Sequence, residues 1–66
     1  MPLLTINGET KEIVSVGVEE LLSEISLPAP LMLVEYNGKA IHRSEWASVI
    51  LSDGDHLELM KVAAGG

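Results

Sequence analysis

The sequence predicts an α+β fold in which a mixed sheet of about five strands curls around a single helix. Three observations carry this. Two Asn-Gly pairs, Asn7-Gly8 and Asn37-Gly38, sit between short strand-like runs; one apolar stripe at helical spacing lies between those pairs; and the run His56 to Lys61 alternates apolar and polar residues. With 66 residues the chain is one small domain, near the lower size at which a single apolar core suffices without disulfides or metal.

Leu3 to Ile6 forms the first strand and Thr10 to Val14 the second. Asn7-Gly8 joins them, because a two-residue hairpin needs positive φ at both turn positions and Asn and Gly tolerate it best. Val18, Leu21, Leu22 and Ile25 then recur at i, i+3, i+4 and i+7, with Glu19, Glu20, Ser23 and Glu24 on the other face, which is the pattern of one amphipathic helix. Gly17 stands at its N-cap, Glu20 is placed to reach back as half of a capping box, and Pro28 and Pro30 enforce the stop. Leu33 to Tyr36 and Lys39 to Ile41 form the second hairpin around Asn37-Gly38. Ser44 caps a short helical turn through Glu45, Trp46 and Ala47, and Trp46 is large enough to plug one end of the core. Asp53-Gly54-Asp55 is a turn, after which His56 to Lys61 places Leu57 and Leu59 on the core face and Glu58 and Met60 on the opposite face. The order ββαββ, short helical turn, β is that of the β-grasp, or ubiquitin-like, fold. Residues 1–61 form this domain and residues 62–66 a flexible tail.

The charge narrows the partners. Ten Asp and Glu against four Lys and Arg give a net charge of −6, so neither nucleic acid nor an anionic membrane surface is an expected partner. An apolar share of 47% and a mean hydropathy of +0.31 argue for a folded domain. No cysteine is present, so the chain offers no thiolate nucleophile or disulfide, which fits a reducing compartment. The first residues have no basic region before an apolar run, and no apolar stretch approaches membrane-spanning length; the expected location is the cytoplasm.

Few side chains suggest chemistry. His42 and His56 have no ligand partner at metal-binding spacing, and Asp53 and Asp55 flank a glycine without the further oxygen ligands a calcium loop requires. Glu19, Glu20 and Glu24 read as a solvated helix face, the serines have no base at recognisable spacing, and no glycine-rich phosphate loop occurs. No catalytic residue and no bound metal or cofactor are therefore expected. Attention passes to Ala63-Ala64-Gly65-Gly66, whose small residues can thread a channel too narrow for side chains and whose last functional group is a carboxylate. Joining that carboxylate to AMP makes a mixed anhydride that a sulfur nucleophile can attack, giving a thiocarboxylate. The catalytic machinery, ATP and metal would then belong to partner enzymes.

Several segments together resemble one family. They are Ile6-Asn7-Gly8, the helix signature Val18-Glu19-Glu20-Leu21-Leu22, Val34-Glu35-Tyr36-Asn37-Gly38, Ile41-His42-Arg43-Ser44-Glu45-Trp46, Leu51-Ser52-Asp53-Gly54-Asp55 and the closing Gly65-Gly66. In this order and spacing the chain is similar to the thiamine-pathway sulfur carrier proteins of the ThiS type, over essentially its whole length. The resemblance implies that an E1-like adenylating enzyme, using ATP and Mg, activates Gly66. It implies further that a persulfide, commonly supplied by a cysteine desulfurase, delivers the sulfur, and that a thiazole synthase consumes the thiocarboxylate. Gly17 and Ser15 depart from the family pattern, which often has Ser or Thr and Gly at those positions.

Alternation along the last strand places Met60 and Val62 opposite the helix, where they are expected to join the docking surface for the activating enzyme. Three rival readings stay open. The chain could carry sulfur for molybdopterin or another pathway, could be a ubiquitin-like modifier joined through Gly66, or could be a β-grasp interaction domain with an inert tail.

Overall fold

The structure is a computed structural model that describes residues 2–62. Its elements are β1 (Leu3–Ile6), β2 (Glu9–Glu12), α1 (Val18–Glu24), a 3-10 turn (Ala29–Leu31), β3 (Met32–Tyr36), β4 (Lys39–Ile41), a 3-10 helix (Arg43–Ser48) and β5 (His56–Lys61). They build one five-stranded sheet in the order β2-β1-β5-β3-β4. Strand β5 runs parallel to β1 and antiparallel to β3, so the last strand in sequence fills the centre between two hairpins. The predicted β-grasp order is therefore observed.

Both predicted hairpins close as the turn chemistry requires. Asn7 and Asn37 each have φ 50°, and Gly8 and Gly38 each have φ 83°, the pair of left-handed residues that matches the twist of two adjoining strands. One face of the sheet packs on α1. Leu4 and Ile6 from β1, Val34 from β3 and Leu57 and Leu59 from β5 meet Val18, Leu21 and Leu22 of the helix, and all are buried. Burial of such side chains stabilises the fold by roughly 1.5–3 kcal/mol each before the entropy of ordering them is counted. Trp46 covers one end of this core at 4% exposure, with the Arg43 guanidinium 6.0 Å above its ring centroid, as its size predicted.

Several boundaries differ from the sequence reading, each for a local reason. The second strand spans Glu9–Glu12 rather than Thr10 to Val14: the Ile13 N–H still bonds the Pro2 carbonyl at 2.9 Å, and past it the chain leaves β1 for the helix. The carboxylate of Glu24 then accepts from the Val14 N–H, the Ser15 N–H and the Ser15 hydroxyl, clipping this loop to the helix. The helix stops at Glu24, ahead of the prolines. Ser26 adopts φ 62°, its N–H bonds Ser23 at 3.1 Å, and the Leu27 N–H reaches back to Leu22 at 2.7 Å, so the exposed carbonyls are satisfied before Pro28 is reached. Gly17 is the N-cap, but Glu20 lies over it without closing a capping box. The capping box forms instead at the 3-10 helix, where His42 rather than Ser44 is the cap and the Glu45 carboxylate accepts from the His42 N–H at 2.7 Å. Strand β3 starts one residue early, at Met32. Among the described residues, no helix is long and apolar enough to cross a membrane.

Candidate functional site

The residues Ala63, Ala64, Gly65 and Gly66, on which the chemistry was expected, lie outside the described residues. What the structure places is the strand that leads to them and the face that surrounds its end. Strand β5 alternates strictly, with Leu57 and Leu59 at 1% and 6% exposure on the helix side. Met60 and Val62, at 51% and 42% exposure, lie on the opposite, open face, as the alternation predicted. The Val62 N–H bonds the Leu31 carbonyl at 2.7 Å, so the backbone is still held to the chain that leads into β3 at that residue.

Register decides what else shares the open face. In the β3–β5 pair, Leu33 stands opposite Met60 and Glu35 opposite Glu58. Leu33 is 54% exposed and was not singled out from the sequence. A signal for it existed: Met32, Leu33 and Val34 are three consecutive apolar residues in a strand, and a two-residue side-chain period sends the middle one to the other face. Leu33 and Met60, with Glu35, Ala40, Ile41 and His42, line a shallow hollow of about 230 Å³ between β3 and β4. This is the apolar centre of the face.

Charge is segregated across the sheet. The open-face register positions hold Glu12, Glu35 and Glu58 and no strand lysine, whereas Lys11, Lys39 and Lys61 pair with Leu4, Tyr36 and Met32 on the helix side, where Glu9, opposite Ile6, is the one strand glutamate. Among the described residues the one ion pair is Lys11 with Glu9, at 3.9 Å. Glu35 and Glu58 thus oppose each other across neighbouring strands without a cationic partner, an arrangement that costs stability in an isolated sheet.

A second polar group fixes the opposite end of β5. The Asp55 carboxylate accepts from the Tyr36 hydroxyl at 2.9 Å, the Asn37 amide at 3.1 Å and the Ser52 N–H at 2.8 Å. Partial burial works to raise the Asp55 carboxyl, but these donors and the nearby His56 outweigh it and hold the group below its ordinary value. The same hydrogen bond pushes the Tyr36 hydroxyl up. Asn37 Oδ1 in turn accepts from the His56 N–H at 2.8 Å. Asp53 accepts from the Leu3 N–H. Both aspartates therefore organise the turn before β5. Glu19, Glu20 and Glu24 stand on the exposed face of α1, and His42 and His56 are exposed. The described part of the molecule presents an exposed face with an apolar patch at Leu33 and Met60 and acidic residues beside it, next to the point where the chain continues toward Gly66.

Comparison with known proteins gives a consistent picture. A family model described as the ThiS family matches residues 4–66. A thiazole synthase of Paramagnetospirillum magneticum is 38% identical over 64 residues, covering 96% of this chain; the chain spans only 20% of that protein's length. An uncharacterized protein, ycf40, of Trieres chinensis is 24% identical over 52 residues, covering 79% of this chain and 71% of its own. Among solved structures, the crystal structure of a thiamine biosynthesis protein (ThiS) from Geobacter metallireducens superposes with a TM-score of 0.82 at 31% identity, covering 97% of this chain and 99% of that one. A solution structure of a thiamine biosynthesis protein from the same organism gives 0.77 at 31% identity, with 97% and 87% covered.

Proposed function

The chain belongs to the ThiS family, and from that membership we propose that it is a sulfur carrier whose C-terminal glycine carboxylate is converted to a thiocarboxylate for thiazole formation in thiamine biosynthesis. The observation that carries this is the family match running through Gly66, together with a sheet whose central strand leads directly to that end. The carrier is a substrate of other enzymes rather than an enzyme.

A carboxylate oxygen of Gly66 attacks the α-phosphorus of ATP, and pyrophosphate leaves. The resulting acyl adenylate has a good leaving group, AMP, which the terminal persulfide sulfur displaces at the carbonyl carbon to give an acyl disulfide; a pair of thiols then cleaves the S–S bond, is itself oxidised to a disulfide, and leaves the thiocarboxylate and the sulfur donor's free thiol. An E1-like adenylating enzyme supplies ATP and Mg, a cysteine desulfurase supplies the persulfide, and a thiazole synthase consumes the product. The chain's own contribution is positional. Met60 and Val62 dock the partner, and residues 63–66 span at most about 13–14 Å, so the reacting phosphate must lie within that distance of Val62. Side chains at positions 65 and 66 are excluded by the channel that admits glycine.

ATP–pyrophosphate exchange with the cognate adenylating enzyme, run beside a binding measurement, tests this. Deleting Gly66 withdraws the carboxylate by roughly 3.3–3.6 Å and should abolish exchange while leaving docking nearly unchanged. Gly65→Val should dock but adenylate slowly. Intact mass after addition of a sulfur source should show one oxygen replaced by sulfur; a ladder of protein adducts would identify a modifier instead. Full exchange by the protein lacking Gly66 would sink the carrier function.

A further inference from the structure

The open face carries a feature that the carrier chemistry does not require. Glu35 and Glu58 are cross-strand neighbours, the open-face strand positions hold no lysine or arginine, and the apolar pair Leu33 and Met60 lies one step further along the same two strands. Directly opposed like charges weaken a sheet, and placing a lysine at either position would remove the repulsion. The apolar pair is equally costly to leave in water, with both side chains about half exposed beside an open hollow.

Both costs disappear against one kind of surface. A guanidinium set between the two carboxylates offsets their mutual repulsion, since its single positive charge attracts both and its planar fork can donate to two acceptors at once. An apolar side chain beside it would fill the hollow next to Leu33, Ala40 and Met60. Resting on the carrier reading, we infer that Glu35 and Glu58 are specificity-determining residues that accept an arginine of the activating enzyme, with an adjacent apolar side chain of that enzyme seated in the β3–β4 hollow. Continuity with Val62 supports this placement: the hollow includes Met60, three residues before Ala63, where the segment that enters the partner's active site begins.

The inference has a signature that a purely structural role would not give: removing the acidic pair should improve the fold and impair docking. The full chain with Glu35→Gln and Glu58→Gln is titrated against the cognate adenylating enzyme at low and at physiological salt. Affinity should fall roughly tenfold or more, with a weaker salt dependence, while the thermal midpoint is unchanged or higher. Thiocarboxylate formation at subsaturating enzyme should fall by a similar factor. Glu12→Gln removes an open-face charge two strands away from β5 and should leave affinity within about twofold. Wild-type affinity in the double variant, or an equal loss in Glu12→Gln, overturns the inference while the carrier function stands. A wild-type chain that the enzyme converts to no thiocarboxylate overturns the carrier function, and this inference falls with it.

Discussion

The Asn7 side chain makes both backbone hydrogen bonds of Leu59. Its Oδ1 accepts from the Leu59 N–H at 2.7 Å and its Nδ2 donates to the Leu59 carbonyl at 3.1 Å. The parallel ladder between β1 and β5 is registered only at Thr5 with His56 and Ile6 with Leu57. Beyond it β1 turns away into its hairpin, and an amide side chain takes the place of the missing strand. A residue chosen for its turn angle therefore also secures the centre of the sheet.

Replacing Asn7 by Gly keeps the left-handed turn and removes only the clamp. Stability should fall by about 1–3 kcal/mol, because the Leu59 N–H and carbonyl lose their partners in a part-buried setting. Asn7→Asp should fall at least as far, since a carboxylate oxygen would then face the Leu59 carbonyl. Urea unfolding of the three proteins checks the order.

The two faces of β5 should respond oppositely to charge. Leu59→Asp places an unpaired carboxylate in the core and should unfold a domain this small. Met60→Asp should retain the fold, with circular dichroism unchanged, and should lose affinity for the activating enzyme. Unfolding by Met60→Asp would show that its face is core.

Acid should act through Asp55. Its folded-state value is depressed below the ordinary 3.8, so the stabilisation is fully present above the unfolded value and is lost as pH falls through the folded one. Asp55→Asn should lower stability at neutral pH and flatten the acid limb of a stability profile. Tyr36 gives a second readout: its raised hydroxyl means that stabilisation present below the ordinary 10.0 is lost as pH rises through the folded value. In Asp55→Asn, ultraviolet difference absorbance should show Tyr36 titrating nearer its ordinary value.

Gly17 offers a stabilising change. Its φ of −119° and ψ of 162° suit any residue, and a serine there can accept from the first free N–H groups of α1. A Cβ at this position meets Glu20 Oε1 at 2.9 Å, but that oxygen is the end of an exposed, flexible side chain. Gly17→Ser should raise stability by roughly 0.5–1 kcal/mol in thermal unfolding.

What could be read in advance was whatever is encoded locally. Asn7-Gly8 and Asn37-Gly38 announce their turns because the φ values they need restrict the residues that can stand there. The helix and β5 are legible from their periods. The end of α1 was not, because Ser26 takes a left-handed angle usually left to glycine and the conspicuous prolines lie further on. His42 was overlooked as a cap because histidine is not among the residues usually found at that position, whereas the neighbouring Ser44 is. On the open face, the exposure of Met60 and Val62 was readable from alternation alone, whereas the pairings Leu33 with Met60 and Glu35 with Glu58 depend on the register of strands separated by a long crossover. Period gives a face; register gives its neighbours.

The position of β5 also governs how the molecule comes into being. The hairpins β1–β2 and β3–β4 share no strand pairing with each other and are joined in the sheet only through β5. During synthesis each can form as soon as it emerges, but neither can join the other until His56–Lys61 has emerged as well. The sheet must then close by non-local pairings that couple residues some fifty positions apart, such as Thr5 with His56, a slow step compared with helix formation. A nascent or proteolysed chain lacking β5 thus holds two hairpins with no strand pairing between them and lacks Leu57 and Leu59 from the centre of the core. The open face around Met60 and the strand that leads toward Gly66 are completed in the same folding event, the one that threads β5 between the two hairpins.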